Sequence, residues 1–243
     1  MKNIKYLLLF LVALGCSSDS ETNMAPGDGT GGSLAIFALK GNYLYTVDHM
    51  NLNVFSLVNT AQPSKVNDVE IGFDIETLFA NDDYLFVGSR NGMYIYSLEN
   101  PENPVQLSQV SHFTACDPVV ANATHAFVTL HSNSECGNDI NVLEVYETSN
   151  PQYPTLVHRR NLSHPKGLGL YNNYLVVCDQ NDLKFFDISN PAEPVLANAL
   201  PAICYDVIIT GDTMFAIGEH SLYRYLLNPN DIENPILQSQ VNF

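Results

Sequence analysis

The chain has 243 residues, 46% of them apolar, and a formal net charge of −16. That composition, with no block of like charge, specifies a globular chain with one sizeable core and argues against disorder. The acidic field repels phosphate backbones, which argues against nucleic acid or anionic headgroups as partners.

In chain order, Lys2 and Lys5 precede an unbroken apolar run from Tyr6 to Leu14 and then Gly15-Cys16, the order of a secretion signal. The run falls short of the roughly 20 apolar residues of a membrane-spanning helix, and no later stretch approaches that length. Ala13-Leu14-Gly15-Cys16 resembles the lipobox of bacterial lipoproteins. The resemblance implies a signal over 1–15, cleavage before Cys16, and a lipid on its thiol that holds the chain to a membrane. Cleavage removes two lysines and no acid, which moves the net charge from −16 to −18. Ser17 stands where an Asp favours retention in the inner membrane, so the expected address is the outer membrane, on its periplasmic or cell-surface side. Ser17 to Gly32 lacks periodic apolar residues, so 16–32 reads as a flexible tether with a reach of roughly 20 to 25 Å.

From 33 to 243 the chain repeats itself. Gly41-Asn42-Tyr43-Leu44-Tyr45 recurs as Asp82-Asp83-Tyr84-Leu85-Phe86, Ala123-Thr124-His125-Ala126-Phe127, Asn172-Asn173-Tyr174-Leu175-Val176 and Gly211-Asp212-Thr213-Met214-Phe215. A second marker follows each anchor: Asn59 with Pro63, Asn100-Pro101 with Pro104, Asn150-Pro151 with Pro154, Asn190-Pro191 with Pro194, and Asn228-Pro229 with Pro235. The third repeat carries a local insertion around Ser132 to Gly137. Each repeat holds four short runs rich in Val, Ile, Leu, Phe and Tyr between Gly, Asn, Asp or Pro turns, as in 167–171, 174–178, 183–188 and 195–200 of the fourth, which reads as strands. The paired Asn, Asp and Gly residues suit tight hairpins because they tolerate positive φ. Asn-Pro-x-x-Pro suits a rigid corner between the last two strands. Four strands per repeat, five times, predict an all-β fold, a β-propeller of five blades with four antiparallel strands each. A solenoid of stacked sheets is the alternative, but three reversals per repeat favour the propeller.

Tyr174-Leu175-Val176-Val177-Cys178-Asp179, followed by Leu183-Lys184-Phe185-Phe186-Asp187-Ile188-Ser189-Asn190-Pro191, resembles the LVIVD-repeat proteins, a family of bacterial surface or secreted propellers. Cys116-Asp117-Pro118-Val119-Val120 and Tyr205-Asp206-Val207-Ile208 resemble lipoproteins of that family in Bacteroidetes-type bacteria. The resemblance implies a propeller outside the cytoplasm and no established catalytic activity.

In a propeller the first strand of each blade is innermost, and its entry shares a face with the loop between the second and third strands. Counting back from the anchors places Ala35, Glu76, Asp117, Lys166 and Asp206 around one mouth of the channel. His49, His131 and His220 fall in loops of the same face, with His112 and His164 just before inner strands. Imidazoles and carboxylates are zinc-type ligands. However, no pair has a recognised ligand spacing, and polar residues collect in loops simply because loops face water. Among the cysteines after Cys16, Cys116 and Cys136 fall in one blade on one face and are the first candidate disulfide. Cys178 and Cys204 are the second, with buried thiols as the alternative.

There is no Gly-x-Ser-x-Gly, phosphate-cradling glycine loop or zinc-protease helix, and no cofactor is expected. Three functions follow. The first is a non-enzymatic interaction module at the cell envelope, bound to another protein or an exposed ligand. The second is a glycan-acting enzyme using Glu76 and Asp117 as paired carboxylates. The third is a metal- or ligand-binding accessory protein using the histidines.

Overall fold

A computed structural model describes residues 31–72, 74–111, 118–131 and 140–243. Twenty strands form five four-stranded antiparallel sheets, each strand paired with its neighbours in sequence. Blade 1 comprises β1 (Phe37–Lys40), β2 (Tyr43–Val47), β3 (Asn51–Ser56) and β4 (Ser64–Glu70). Blade 2 comprises β5 (Ile75–Asn81), β6 (Tyr84–Ser89), β7 (Gly92–Ser97) and β8 (Val105–Ser111). Blade 3 comprises β9 (Val119–Ala121), β10 (His125–His131), β11 (Asn141–Glu147) and β12 (Thr155–Asn161). Blade 4 comprises β13 (Pro165–Tyr171), β14 (Tyr174–Asp179), β15 (Asp182–Asp187) and β16 (Val195–Pro201). Blade 5 comprises β17 (Asp206–Thr210), β18 (Thr213–Ile217), β19 (Ser221–Leu226) and β20 (Ile236–Asn242). No helix among the described residues is long and apolar enough to cross a membrane.

The repeated residues are the turn chemistry. The first residue of the β1–β2, β5–β6, β13–β14 and β17–β18 turns has positive φ, and it is Gly41 (54°), Asp82 (48°), Asn172 (51°) or Gly211 (55°). Blade 3 differs: the Asn122 carboxamide oxygen accepts from Thr124 N and His125 N, at 3.0 and 2.9 Å. In all five blades this first turn also accepts a backbone bond from the end of the third strand, such as Ile188 N to Asn173 O at 2.8 Å. The second marker is a corner between the third and fourth strands. Carbonyls of Asn59, Asn100, Asn150, Asn190 and Asn228 each accept from the amide three residues on. The side chains of Asn100, Asn150 and Asn228 accept from the amide two residues on, the asparagine mimic of a turn.

The first strands lie innermost, where β1 meets β5, β5 meets β9, β9 meets β13 and β13 meets β17. Period-2 alternation sends one side of each sheet forward to the next blade and the other back. Tyr45, Leu52 and Val54 of blade 1 pack on Leu78, Leu85 and Val87 of blade 2. Met93 and Ile95 meet Val128 and Val142, and Phe127 and Val145 meet Leu175 and Val177. Val176, Leu183 and Phe185 meet Val207, Met214 and Ala216. The described residues thus form four cores between five blades, and no such cluster joins blade 5 to blade 1.

Cys178 and Cys204 form a disulfide with Cα atoms 5.5 Å apart, tying the end of β14 to the segment that enters blade 5. The second candidate pair is therefore bonded. Closing a loop of 26 residues contributes about 3.5 kcal/mol on the loop-entropy model. Cys16, Cys116, Cys136, His112 and Asp117 lie outside the described residues.

Candidate functional site at the channel mouth

Ala35, Glu76, Lys166 and Asp206 do stand at the entries of inner strands, as the repeat count places them, but they do not form a ring of free charges. Asp206 is a latch. Its Oδ1 accepts from Ser33 Oγ at 2.9 Å and from Val207 N at 2.9 Å, and its Oδ2 accepts from Leu34 N at 3.2 Å. Ser33 is fully buried, and its Oγ in turn accepts from Leu168 N at 2.8 Å, so the residues leading into β1 are held against the inner strands of blades 4 and 5. A side chain at Gly32 or Gly167 would strike the Asp206 carboxylate, at 2.0 and 2.2 Å, which explains both glycines. Burial raises the Asp206 pKa above the ordinary aspartate value, against the lowering effect of the bonds it accepts.

Glu76 is partnered as well. Arg90 lies 4.0 Å from Glu76 and 3.1 Å from Asp74, and with His49 and Ile75 these residues line a cavity of about 340 Å³ on the blade 1–blade 2 side of the mouth. The His49 carbonyl accepts from Ile75 N at 3.3 Å, so this loop also docks the first blade on the second.

The opposite side of the mouth is built from blades 3, 4 and 5. His131, at the end of β10, is 8% exposed, and its ring meets His164 edge-on at a centroid distance of 5.1 Å. Thr129 Oγ1 donates to the Lys166 carbonyl at 2.5 Å, fixing the start of β13 against β10. Burial first, and then the neighbouring His164 and Lys166, push the His131 pKa down to about 4, so its imidazole is neutral near pH 7. The Lys166 ammonium lies 4.2 Å from the centroid of the Tyr205 ring, a cation–π pair. Burial lowers the Lys166 pKa, opposed by Glu219. His220 is exposed beside Glu219, at 3.9 Å. Of the five histidines expected on this face, the four that are described, His49, His131, His164 and His220, lie there, and among these four only His131 and His164 make a ring contact. No group of three His, Cys, Asp or Glu suited to a metal ion occurs among the described residues.

Sequence reasoning missed Asp179, which organises this side. Its buried carboxylate accepts from Ser163 N, at 2.9 Å, from His164 N, at 2.6 Å, and from Lys184 Nζ, at 2.5 Å. It closes the second strand of its blade and clamps the loop that enters the first. Asp48 in blade 1 and Ser89 in blade 2 hold the same repeat position and bond their own turn amides, Met50 N at 3.0 Å and Asn91 N at 3.3 Å. That recurrence was the signal. Glu144 of β11 was missed too, a buried carboxylate that accepts from Tyr146 and Arg159.

Below the mouth, the inner strands enclose a cavity of about 290 Å³ lined by Phe79, Val120, Leu168, Leu170 and Ile209, with Asn122 among the polar residues. Gly31 also reaches this lining. Among the described residues no Asp or Glu lines it.

With this geometry in hand, comparison with known proteins identifies the fourth blade. Residues 164–200 match the family model of the LVIVD repeat. No curated protein sequence matches the chain. Solved propellers do: a functionally unknown protein from Desulfotomaculum acetoxidans is 11% identical, with a TM-score of 0.65 over 83% of this chain and 66% of that one. A protein from Lactobacillus plantarum is 10% identical, with a TM-score of 0.66 over 82% and 67%. The periplasmic gluconolactonase PpgL of Pseudomonas aeruginosa is 12% identical, with a TM-score of 0.65 over 83% and 68%. The chain thus spans about two thirds of the length of these neighbours, and the likeness is one of fold. The matched segment spans β13 to β16 and carries Lys166, Cys178 and Asp179, so it supplies the share of blade 4 in the side of the mouth built from blades 3, 4 and 5.

Proposed function

We propose that this chain is a binding module of the cell envelope, held by lipid on Cys16 through the 16–32 tether. In this reading the mouth side made of His164, Lys166, Tyr205 and His220 contacts a protein or an exposed ligand. The observation that carries it is the commitment of the mouth carboxylates to the fold. Asp206 latches Ser33 and Leu34, Asp179 holds Ser163, His164 and Lys184, and Glu76 faces Arg90. Proton transfer needs a carboxyl group free to reach a substrate, whereas recognition needs exposed donors and aromatic surface on a rigid frame, which the opposite side supplies. The apolar cavity below the mouth offers no acid–base pair. The outer membrane remains the expected address.

A second reading, an enzyme acting on a glycan or a lactone, keeps Glu76 as its acid or base and draws on the named gluconolactonase among the fold neighbours. One experiment separates the two. The tagged lipoprotein is crosslinked in its native envelope, purified with what it holds, and compared with a Lys166→Ala, His164→Ala double variant. The binding reading predicts a specific partner lost in the variant. Turnover of a lactone or glycan that disappears in Glu76→Gln overturns it in favour of the enzyme.

A further inference from the structure

The four interblade cores leave two sheet faces without a partner. On blade 1 the backward face carries Phe37, Leu39, Leu44 and Phe55; Phe37 is 50% exposed, and Phe37, Leu39 and Leu44 with Ile36 and Thr46 border an apolar hollow of about 420 Å³. On blade 5 the forward face carries Ile208, Phe215, Ile217, Leu222 and Leu226, none of them buried. These positions are not loosely apolar by accident. Phe215, Ile217 and Leu222 stand where blade 4 has Val176, Cys178 and Leu183, which are fully buried against blade 5. Leu39 and Leu44 stand where blade 4 has Leu170 and Leu175, packed on blade 3. Blade 5 therefore ends on the forward half of a contact the chain makes four times, and blade 1 begins on the backward half.

Charge follows the same division. In a chain of net charge −16, the inner three strands of these two faces carry Arg224 and a single acid, Asp206, which is bonded to Ser33 and Leu34. Depletion of charge from an apolar centre is how association surfaces differ from ordinary surface. Among the described residues, blade 5 is joined to the segment leading into blade 1 by the Asp206 latch at the mouth, and no hydrophobic core cluster joins their sheet faces.

We propose that a second copy of this chain covers these faces, with the forward face of blade 5 in one copy packed on the backward face of blade 1 in the next. Every copy supplies both halves, and the contact repeats a packing already used inside the molecule. A four-stranded face of six-residue strands measures roughly 20 by 19 Å, so one such contact buries about 800 Å² from both copies. That is below the roughly 1,200 Å² of a stable interface, which makes the association weak and concentration-dependent. Tethering many copies to one membrane raises their effective concentration into the range where it forms. The contact is head-to-tail, so it grows until the rotation between copies closes it.

The test is a complementation. The chain from residue 16 on, its expected mature form, carrying Cys16→Ser so that neither the apolar signal nor the lipid is present and no detergent is needed, is sedimented from micromolar to near-millimolar concentration, together with Leu44→Asp and Ile217→Asp made in it. The parent chain self-associates as concentration rises. Each variant alone stays monomeric, because one half of every contact is spoiled. An equimolar mixture of the two forms a dimer and nothing larger, through the one intact face left on each. Thr46→Asp and Arg224→Glu, polar positions on the same two faces, take their place if either aspartate abolishes the cooperative melt. A parent chain that is monomeric throughout, a single variant that associates like the parent, or a mixture that does not dimerise would each overturn the proposal. None of these outcomes bears on capture of a partner at the channel mouth.

Discussion

Blades 4 and 5 share one strand plan, yet they differ in what surrounds them. Blade 4 is packed on both faces, with Leu175 and Val177 against blade 3 and Val176, Leu183 and Phe185 against blade 5, and a disulfide pins its second strand. Among the described residues blade 5 packs on one side, with Val207, Met214, Ala216, Tyr225, Leu227 and Ile232 in the core it shares with blade 4, and leaves its outermost strand exposed along its whole length. A propeller blade is therefore not a unit of stability by itself. Its stability comes from having a neighbour on each side, and the strand pattern alone does not say which blades have two.

The largest effect should appear where a ring is enclosed between two blades, set against a ring on the open face. Phe185→Ala removes a fully buried ring between blades 4 and 5 and should cost about 3 to 5 kcal/mol, whereas Phe215→Ala on the open face of blade 5 should cost under about 1 kcal/mol. Urea unfolding of dilute protein measures both, and equal costs would show that blade 5 is packed on both sides. Reduction of Cys178–Cys204 should lower stability by about 3.5 kcal/mol, read as a drop in Tm that Cys178→Ser reproduces without reductant.

The mouth offers a pH test of the same contrast. The His131 pKa falls from 6.5 when unfolded to about 4 when folded, so the unfolded chain binds the proton more readily. Its contribution is constant above pH 6.5 and is lost as pH falls from 6.5 toward 4, by up to about 3 kcal/mol. Denaturation midpoints across that range should show the loss in the parent chain and a flatter profile in His131→Asn. A smaller loss than at His131 is expected at the latch: Asp206→Ala leaves Ser33, Leu34 and Val207 without their acceptor, should cost about 1 to 2 kcal/mol, and should speed hydrogen exchange at the Leu34 amide.

The fold was legible because turn residues recur at fixed distances. Asn172, Asp82 and the two glycines at positive φ, and the asparagine corners, are local chemistry that a sequence displays. Strand bounds in the fourth repeat agree with those expected to within two residues. The face on which the mouth residues lie was legible too, since strand alternation and loop order determine it. What each residue does there was not. Asp206 and Glu76 read as free carboxylates, but Ser33 and Leu34 reach Asp206 from the far end of the chain and Arg90 reaches Glu76 from the β6–β7 turn of the same blade, and no local pattern announces such contacts. Asp179 hid in the same way, as an ordinary strand end. The two open faces were invisible because their apolar alternation is the same as that of the closed ones.

The most direct test of the mouth as a recognition surface places a photo-crosslinking amino acid at His220 or, in a second variant, at exposed Tyr153, in the corner between β11 and β12. Each tethered protein is then irradiated in its native envelope. The account predicts a discrete adduct from position 220 that is absent from position 153. Adducts from 153 alone, or the same adducts from both, would contradict it.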